Sequence, residues 1–274
     1  MSGGDGAAFY LPDGDAYVAT DETRGPWSPV HQHAGPPSAL VARAMVRAVA
    51  ADSADAVDGV APTFHPSRIT LELLRPIPIA RLRVDVEIER RTKSTRLVRG
   101  RLVAGDTELA RAQALFVREA PVVLPPHVPS LARPPAGPDG LTASTFPFFR
   151  EPVGYHTAME LRFAAGGFGE ARSTAWMRMR VPLVLGETPS GIERVLCAAD
   201  STNGVTNVLG FEAYTFVNAD LSVHLHRLPV GEWVAMEAVT VPQPTGVGLA
   251  ESALSDERGA IGRALQSLVI AARG

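Results

Sequence analysis

A single offset aligns this chain with itself. Pro37-Ser38 falls on Pro189-Ser190, Arg75 on Arg227, and Arg111-Ala112 on Arg263-Ala264, all 152 residues apart with no gap. The first pair opens a helical stretch, the second ends a strand pattern, and the third sits inside the last apolar strand. Three landmarks in register predict a unit duplicated and fused to itself. Between the copies lie Pro121, Pro125, Pro126, Pro129, Pro134, Pro135 and Pro138, with Gly137 and Gly140. That density is incompatible with helix or central strand and predicts an extended connector. The chain is therefore expected to divide into an N-terminal unit at 1–122, a Pro-rich linker at 123–150 and a C-terminal unit at 151–274.

Each copy reads as a strand, then a helix, then several strands. Leu40, Val41, Ala44, Met45, Ala48 and Val49 form a helical apolar stripe over 36–50. Pro36 or Pro37 suits the first turn, where a missing N–H costs nothing. After a turn-rich segment at 52–66, strand patterns occupy 68–75, 82–91, 96–104 and 108–119. The second copy has strand patterns at 158–163 and 173–181, a helix near 189–201, and strands at 214–227, 232–240, 246–254 and 260–272. A helix followed by a meander of antiparallel strands is an α+β pattern, with the sheet wrapped around the helix.

Composition removes whole classes of function. At 46% hydrophobic and 20% charged residues the chain can bury a core, so wholesale disorder is excluded. A formal net charge of −3 supplies no basic field for nucleic acid. The single cysteine, Cys197, excludes a disulfide framework and reads as a small buried apolar residue. No apolar run approaches the roughly 20 residues of a membrane helix. The opening MSGGDGAAFYLPDGD lacks a secretory signal, so the expected location is the cytoplasm, with no membrane partner. The pairs His31/His33 and His224/His226 lack a third ligand nearby in sequence, and no metal is expected. The chain has no G-x-S-x-G, no P-loop and no dinucleotide fingerprint. These absences disfavour an α/β serine hydrolase and nucleotide-binding folds, and no cofactor is expected.

Five stretches carry a resemblance to a known family. In the first copy they are His33-Ala-Gly-Pro-Pro-Ser-Ala-Leu40, with Ala34 where a first glycine is usual, and Ile69-Thr-Leu-Glu-Leu-Leu-Arg-Pro76. In the second they are Ala199-Asp200-Ser201, the run from Asn218 to Arg227 followed by Gly231-Glu232-Trp233, and Leu265-Gln266-Ser267-Leu268-Val269. In this order, on tandem helix-and-strand units, they resemble the double hotdog fold of acyl-CoA thioesterase II-like proteins. The resemblance implies two helices each wrapped by an antiparallel sheet. It also implies hydrolysis of acyl-CoA thioesters to a fatty or other carboxylic acid and free coenzyme A. The implied partner is the acyl-CoA substrate, and the assembly to consider is a homo-oligomer of double hotdog units.

In that family an aspartate, a threonine or serine, and a glutamine hold the attacking water. By motif these are Asp200, Asn218 and Gln266, with an amide replacing the hydroxyl at 218. Read without the family, the residues leave alternatives open. Asp200 follows the stripe Ile192, Val195, Leu196 and Ala199, as either a functional carboxylate or a helix-end acid. Gln266 lies in the alternating row Gly262, Ala264, Gln266, Leu268, Ile270, as a functional or a satisfied core amide. Asn218 shares a face with Asp220, Ser222, His224 and His226, which otherwise reads as a solvated polar face. Gly35 and Ser38, at the helix start, are candidate substrate-binding residues, and the Gly35 N–H is a candidate oxyanion donor. Arg91 and Arg96, in the basic run from Arg90 to Arg101, are either a solvated hairpin tip or contacts for the phosphates of coenzyme A. Two other functions stay open: a non-catalytic acyl-CoA or acyl-chain binding protein, and a hotdog enoyl hydratase or dehydratase. The last needs an Asp/His or Glu/His pair at the helix, and no histidine is expected beside Asp200.

Overall fold

Alternating burial along the strands bends one antiparallel sheet around two helices. The computed structural model describes residues 6–52, 61–128, 135–206 and 208–273. Much of the turn-rich segment at 52–66, and Pro129 and Pro134 of the connector, lie outside the described residues. In chain order the elements are β1 (Tyr10–Asp13), β2 (Ala16–Ala19), α1 (Gly35–Ala50), β3 (Phe64–Leu73), β4 (Arg81–Arg91), β5 (Thr95–Ala104) and β6 (Thr107–Arg118). There follow β7 (Ala143–Ser144), α2 (Tyr155–Ala158), β8 (Met159–Ala165), β9 (Arg172–Met179), α3 (Gly191–Ala199) and α4 (Thr202–Thr206). The chain ends with β10 (Tyr214–Asn218), β11 (Asp220–Leu225), β12 (Val234–Pro242), β13 (Val247–Asp256) and β14 (Gly259–Ala272). No described helix is long and apolar enough to cross a membrane.

The sheet order is β1-β2-β4-β5-β6-β3-β11-β14-β13-β12-β9-β8-β7, with β10 also on β14. Read from the centre, β3-β6-β5-β4 on one side mirrors β11-β14-β13-β12 on the other. The duplication is visible residue by residue. β5 and β13 lie 152 residues apart at both ends. Both copies slip register at the same point of the third hairpin, between Leu102 and Val103 and between Leu254 and Ser255. At the seam β3 pairs antiparallel with β11, and Thr70 stands opposite Ser222, the residue 152 positions later, with their hydroxyls 3.1 Å apart. A local twofold relation therefore passes between these two residues.

α1 packs against α3, β4 and β5 and is buried along nearly its whole length, as a helix with apolar residues on several faces must be. One charged side chain on it, Arg43, is buried and is met by both carboxylate oxygens of Glu187 and by the Tyr17 hydroxyl. Burial by itself would raise the Glu187 carboxyl, but Arg43 and Arg47 hold it below the usual range. Two features differ from the sequence expectation. β1 and β2 form a hairpin before α1, whose signal is the Asp13-Gly14 turn with Gly14 at φ +63°. The strand expected over 214–227 breaks at Ala219 into β10 and β11.

Candidate active site

That break aims the site. By uninterrupted alternation Asn218 would share the outer face of Ser222 and His224. Instead Asn218 stands opposite Leu268, while Ser222 stands opposite Leu265, a one-residue slip centred on Ala219. The Asp220 carboxylate accepts from the Ser267 N–H at 2.6 Å and stabilises the bulge. A slip of one residue exchanges the two faces of a strand. Asn218 therefore points inward beside Phe216, and the solvated-face expectation is corrected for it while His224 stays exposed.

Asp200 caps the C-terminus of α3 and is buried. A carboxylate at a helix C-terminus is opposed by the helix dipole, so it needs donors. Asn218 Nδ2 donates to its Oδ1 at 2.8 Å. Gln266, fully buried on β14, donates from Nε2 to the Asp200 carbonyl at 3.0 Å and to Oδ1 at 3.3 Å. Gln266 Oε1 in turn accepts from the Asn203 N–H at 3.3 Å. Two amide side chains, from β10 and β14, thus meet at the carboxylate that caps α3.

A fourth residue joins them that the sequence reading did not place there. His33 Nδ1 lies 2.9 Å from Asp200 Oδ2, which overturns the expectation that no histidine stands beside this aspartate. His33 comes from the other copy, in the loop that enters α1. Its ring stacks on Tyr155 at 3.7 Å with an interplanar angle of 1°. The Tyr155 hydroxyl donates to the Cys197 carbonyl at 2.6 Å and accepts from Ser201 Oγ at 2.8 Å. Burial pushes the Tyr155 phenol and the Cys197 thiol up, so both stay neutral, and a neutral buried thiol is no nucleophile. The local signal that could have singled out His33 is its position two residues before a helix start.

His33, Asp200, Ser201 and Asn218 line a cavity of about 480 Å³ between the two copies, whereas Gln266 is not among its lining residues. Its apolar lining includes Trp27, Phe146, Phe148, Phe149, Phe211 and Phe216, with Trp27 stacked on Phe211 at 4.6 Å. Asp200 is the only carboxylate in that described lining, which also includes Arg75 and His31. Among the described residues no group of three or more His, Cys, Asp and Glu is placed to hold a metal ion.

The other candidates stand elsewhere. Gly35 and Ser38 are buried in the first turn of α1 and do not line the cavity. Gly35 is a packing residue: a Cβ there would fall 2.7 Å from the Cys197 carbonyl oxygen, so its absence lets α1 approach α3. Its N–H points at His33 Nδ1, 3.1 Å away. Arg96 is fully buried, bonded to Asp52 at 2.8 Å with its guanidinium over the Phe64 ring, which corrects its reading as a solvated tip. Arg91 is exposed and also bonds Asp52. Neither arginine lines the cavity.

The two halves match separate family models. Residues 23–117 match the acyl-CoA thioesterase N-terminal domain and residues 125–270 the acyl-CoA thioesterase C-terminal domain. No curated protein matches the chain. Among solved structures, an acyl-CoA thioesterase II, TesB2, from Mycobacterium marinum superposes at a TM-score of 0.63 with 14% identity, over 98% of this chain and 96% of that one. A candidate thioesterase II from Thermobifida fusca gives 0.69 and 14% identity over 96% and 95%. A conserved protein with a hot dog fold from Alicyclobacillus acidocaldarius gives 0.66 and 13% identity over 97% and 96%. At these identities the structures establish the shared fold, a tandem hotdog.

Proposed function

We propose that this chain, which belongs to the acyl-CoA thioesterase family, hydrolyses an acyl-CoA thioester with a water held at Asp200, Asn218 and Gln266. The observation that carries the reading is the convergence of two amide side chains on one buried carboxylate in the wall of an aromatic cavity. The water oxygen attacks the thioester carbonyl carbon, the C–S bond breaks, and the water proton ends on the departing sulfur. The products are a carboxylic acid and free coenzyme A. Asp200 activates the water as a base or by orientation, and Gln266 and Asn218 fix its position. With Nδ2 committed to Asp200, Asn218 still has an acceptor oxygen for a water, the function a hydroxyl serves at this place in the family. The apolar lining suits an apolar acyl group. The same reading divides the chain at 1–122, 123–150 and 151–274, the last unit carrying the water-holding set.

Free-thiol release from a panel of acyl-CoAs of increasing chain length tests the proposal. Binding without thiol release on every member would assign the chain to acyl-CoA binding instead. One observation favours a second reading, addition of water to an enoyl thioester: the His33–Asp200 contact supplies the acid–base pair such a step uses. Loss of the conjugated double bond of an enoyl-CoA without thiol release would select it.

A further inference from the structure

We infer that the acyl group taken by this cavity carries an aromatic ring, held against a column of stacked rings at Trp27, Phe211, Phe148 and Phe149. The inference rests on the thioester-hydrolysis reading and names the substrate class within it.

The four side chains line the cavity together with Asp200 and Asn218. They form consecutive stacked pairs. Trp27 lies 4.6 Å from Phe211 at 29°, Phe211 5.2 Å from Phe148 at 16°, and Phe148 5.7 Å from Phe149 at 26°. Both ends are closed. The Arg273 guanidinium sits over Trp27 and Phe211, and His156 stacks on Phe149 at 4.4 Å. Rings that turn their faces to one another have chiefly their edges left for the cavity. An aromatic ring has a negative face and a positive edge. A row of edges therefore attracts the face of a further ring. Phe216 already meets the column in this T-shaped way, at 83° to Trp27 and 87° to Phe211. A straight or saturated acyl chain has no such face and gains only from the burial of its area.

The column differs from ordinary core packing in two ways. The core rings of Phe9 and Phe116 are buried, whereas Trp27 is 38% exposed and Phe148 and Phe149 are half-buried, so surface is left for a ligand. Its members also come from three irregular segments, before α1, before α2 and between α4 and β10. The helices and sheet of a hotdog unit do not require rings there, and such segments are where binding residues concentrate. Phe148 and Phe149 lie in a stretch with no counterpart 152 residues earlier. The adenine of coenzyme A is a second planar group. Its pantetheine and diphosphate arm separates it from the thioester, which the hydrolysis reading places at Asp200 in this cavity.

Matched thioesters test the inference: phenylpropanoyl-CoA against cyclohexylpropanoyl-CoA, followed by thiol release. The cyclohexyl ring buries at least as much apolar area, so a preference for phenyl reports the aromatic face. kcat/KM should favour the phenyl substrate by about 2 to 10-fold, the range for an aromatic pair beyond its area. The phenylpropyl and cyclohexylpropyl thioethers of coenzyme A have no thioester to cleave, and calorimetry should find the same ratio in their Kd. Phe148→Leu keeps an apolar side chain and removes an inner ring of the column, so the ratio should fall to about 1. Trp27→Leu, at an exposed position, makes the same test at the end of the column if Phe148→Leu does not fold. A wild-type ratio near unity, or a phenyl preference unchanged in every variant that folds, overturns the inference. Equal weakening of both thioethers in the leucine variants, with no phenyl preference in wild type, would place the adenine on the column instead. A Kd ratio that persists while neither thioester releases thiol removes the hydrolysis reading and leaves the aromatic preference standing.

Discussion

At the positions 152 residues before Asp200, Asn218 and Gln266, the first copy carries Ala48, Pro66 and Ala114. The backbones agree at the two strand positions, whereas Ala48 lies within α1 and Asp200 caps α3. Pro66 precedes a bulge at Ser67 just as Asn218 precedes one at Ala219, and Ala114 is as completely buried on β6 as Gln266 is on β14. A hotdog unit therefore needs the bulge and the buried strand position, but not the polar side chains. Those side chains are an addition to one copy, and each was accommodated only because partners surround it. The first copy contributes differently, with Trp27, His33 and Arg75 on the cavity wall. Arg75 and Arg227, equivalent by the same offset, show the reverse division. Arg227 is bound to Asp256, whose first-copy counterpart is Ala104, while Arg75 faces the cavity.

The comparison is tested most severely at Asp200. Asp200→Asn keeps the shape of the site and removes its charge. It should lower kcat for thiol release by about 10² to 10⁴-fold, while Ala48→Ser in the first copy should leave kcat near wild type. Equal effects at the two positions would end the claim that chemistry resides in one copy.

Next in size is a stability effect at the paired arginines. Burial by itself raises the Asp256 carboxyl, but Arg227, with the Val230 and Arg258 N–H groups, holds it below the ordinary range. Its stabilising contribution is therefore complete above that range and is lost as pH falls through the lowered value. Arg227→Ala should cost about 2–4 kcal/mol near neutral pH, somewhat below a fully buried pair because the arginine is partly exposed. Arg75→Ala should cost within about 0.5 kcal/mol, as an exposed side chain. Urea titrations at several pH values measure both, and the acid-side loss should be shallower in Arg227→Ala.

Gln266→Ala places in the second copy the residue that the first already holds. The fold should survive, and circular dichroism checks that. One positioning donor disappears, so kcat should fall by about 10 to 100-fold. An unfolded variant would show that the two strands are less alike than their registers.

The smallest effect is expected from one substitution at Asn218, that to threonine. Asn218→Thr restores a hydroxyl and should leave kcat unchanged or raise it severalfold, whereas Asn218→Ala should lose activity. If wild type is silent and Asn218→Thr creates thiol release, the natural protein binds acyl-CoA without cleaving it.

Much of this was legible before any coordinates. The apolar stripe of α1 and the alternating strands β4, β5, β6, β12, β13 and β14 are local patterns, set by periods of 3.6 and 2 residues. The one-residue-one-face rule failed at Asn218 because a bulge leaves the composition of a strand unchanged while exchanging its faces. Arg96 read as surface because charge is usually solvated, yet Asp52 and the Phe64 ring gave it a buried place. Gly35 was found for the right position and the wrong reason, since its task is close helix approach and not lining the cavity.

By itself the sequence determined the duplication, the α+β class and the family resemblance, and it singled out Asp200, Asn218 and Gln266 as candidates. All of these are carried by residue types at fixed separations along one chain. Only the tertiary structure decided that these three side chains share hydrogen bonds, that Asn218 faces inward, and that His33 from the other copy reaches Asp200 Oδ2. The reason is that periodicity reports which face a residue takes within its own element. Contact between elements depends on register, on a one-residue bulge and on the close packing of α1 against α3, none of which leaves a periodic trace.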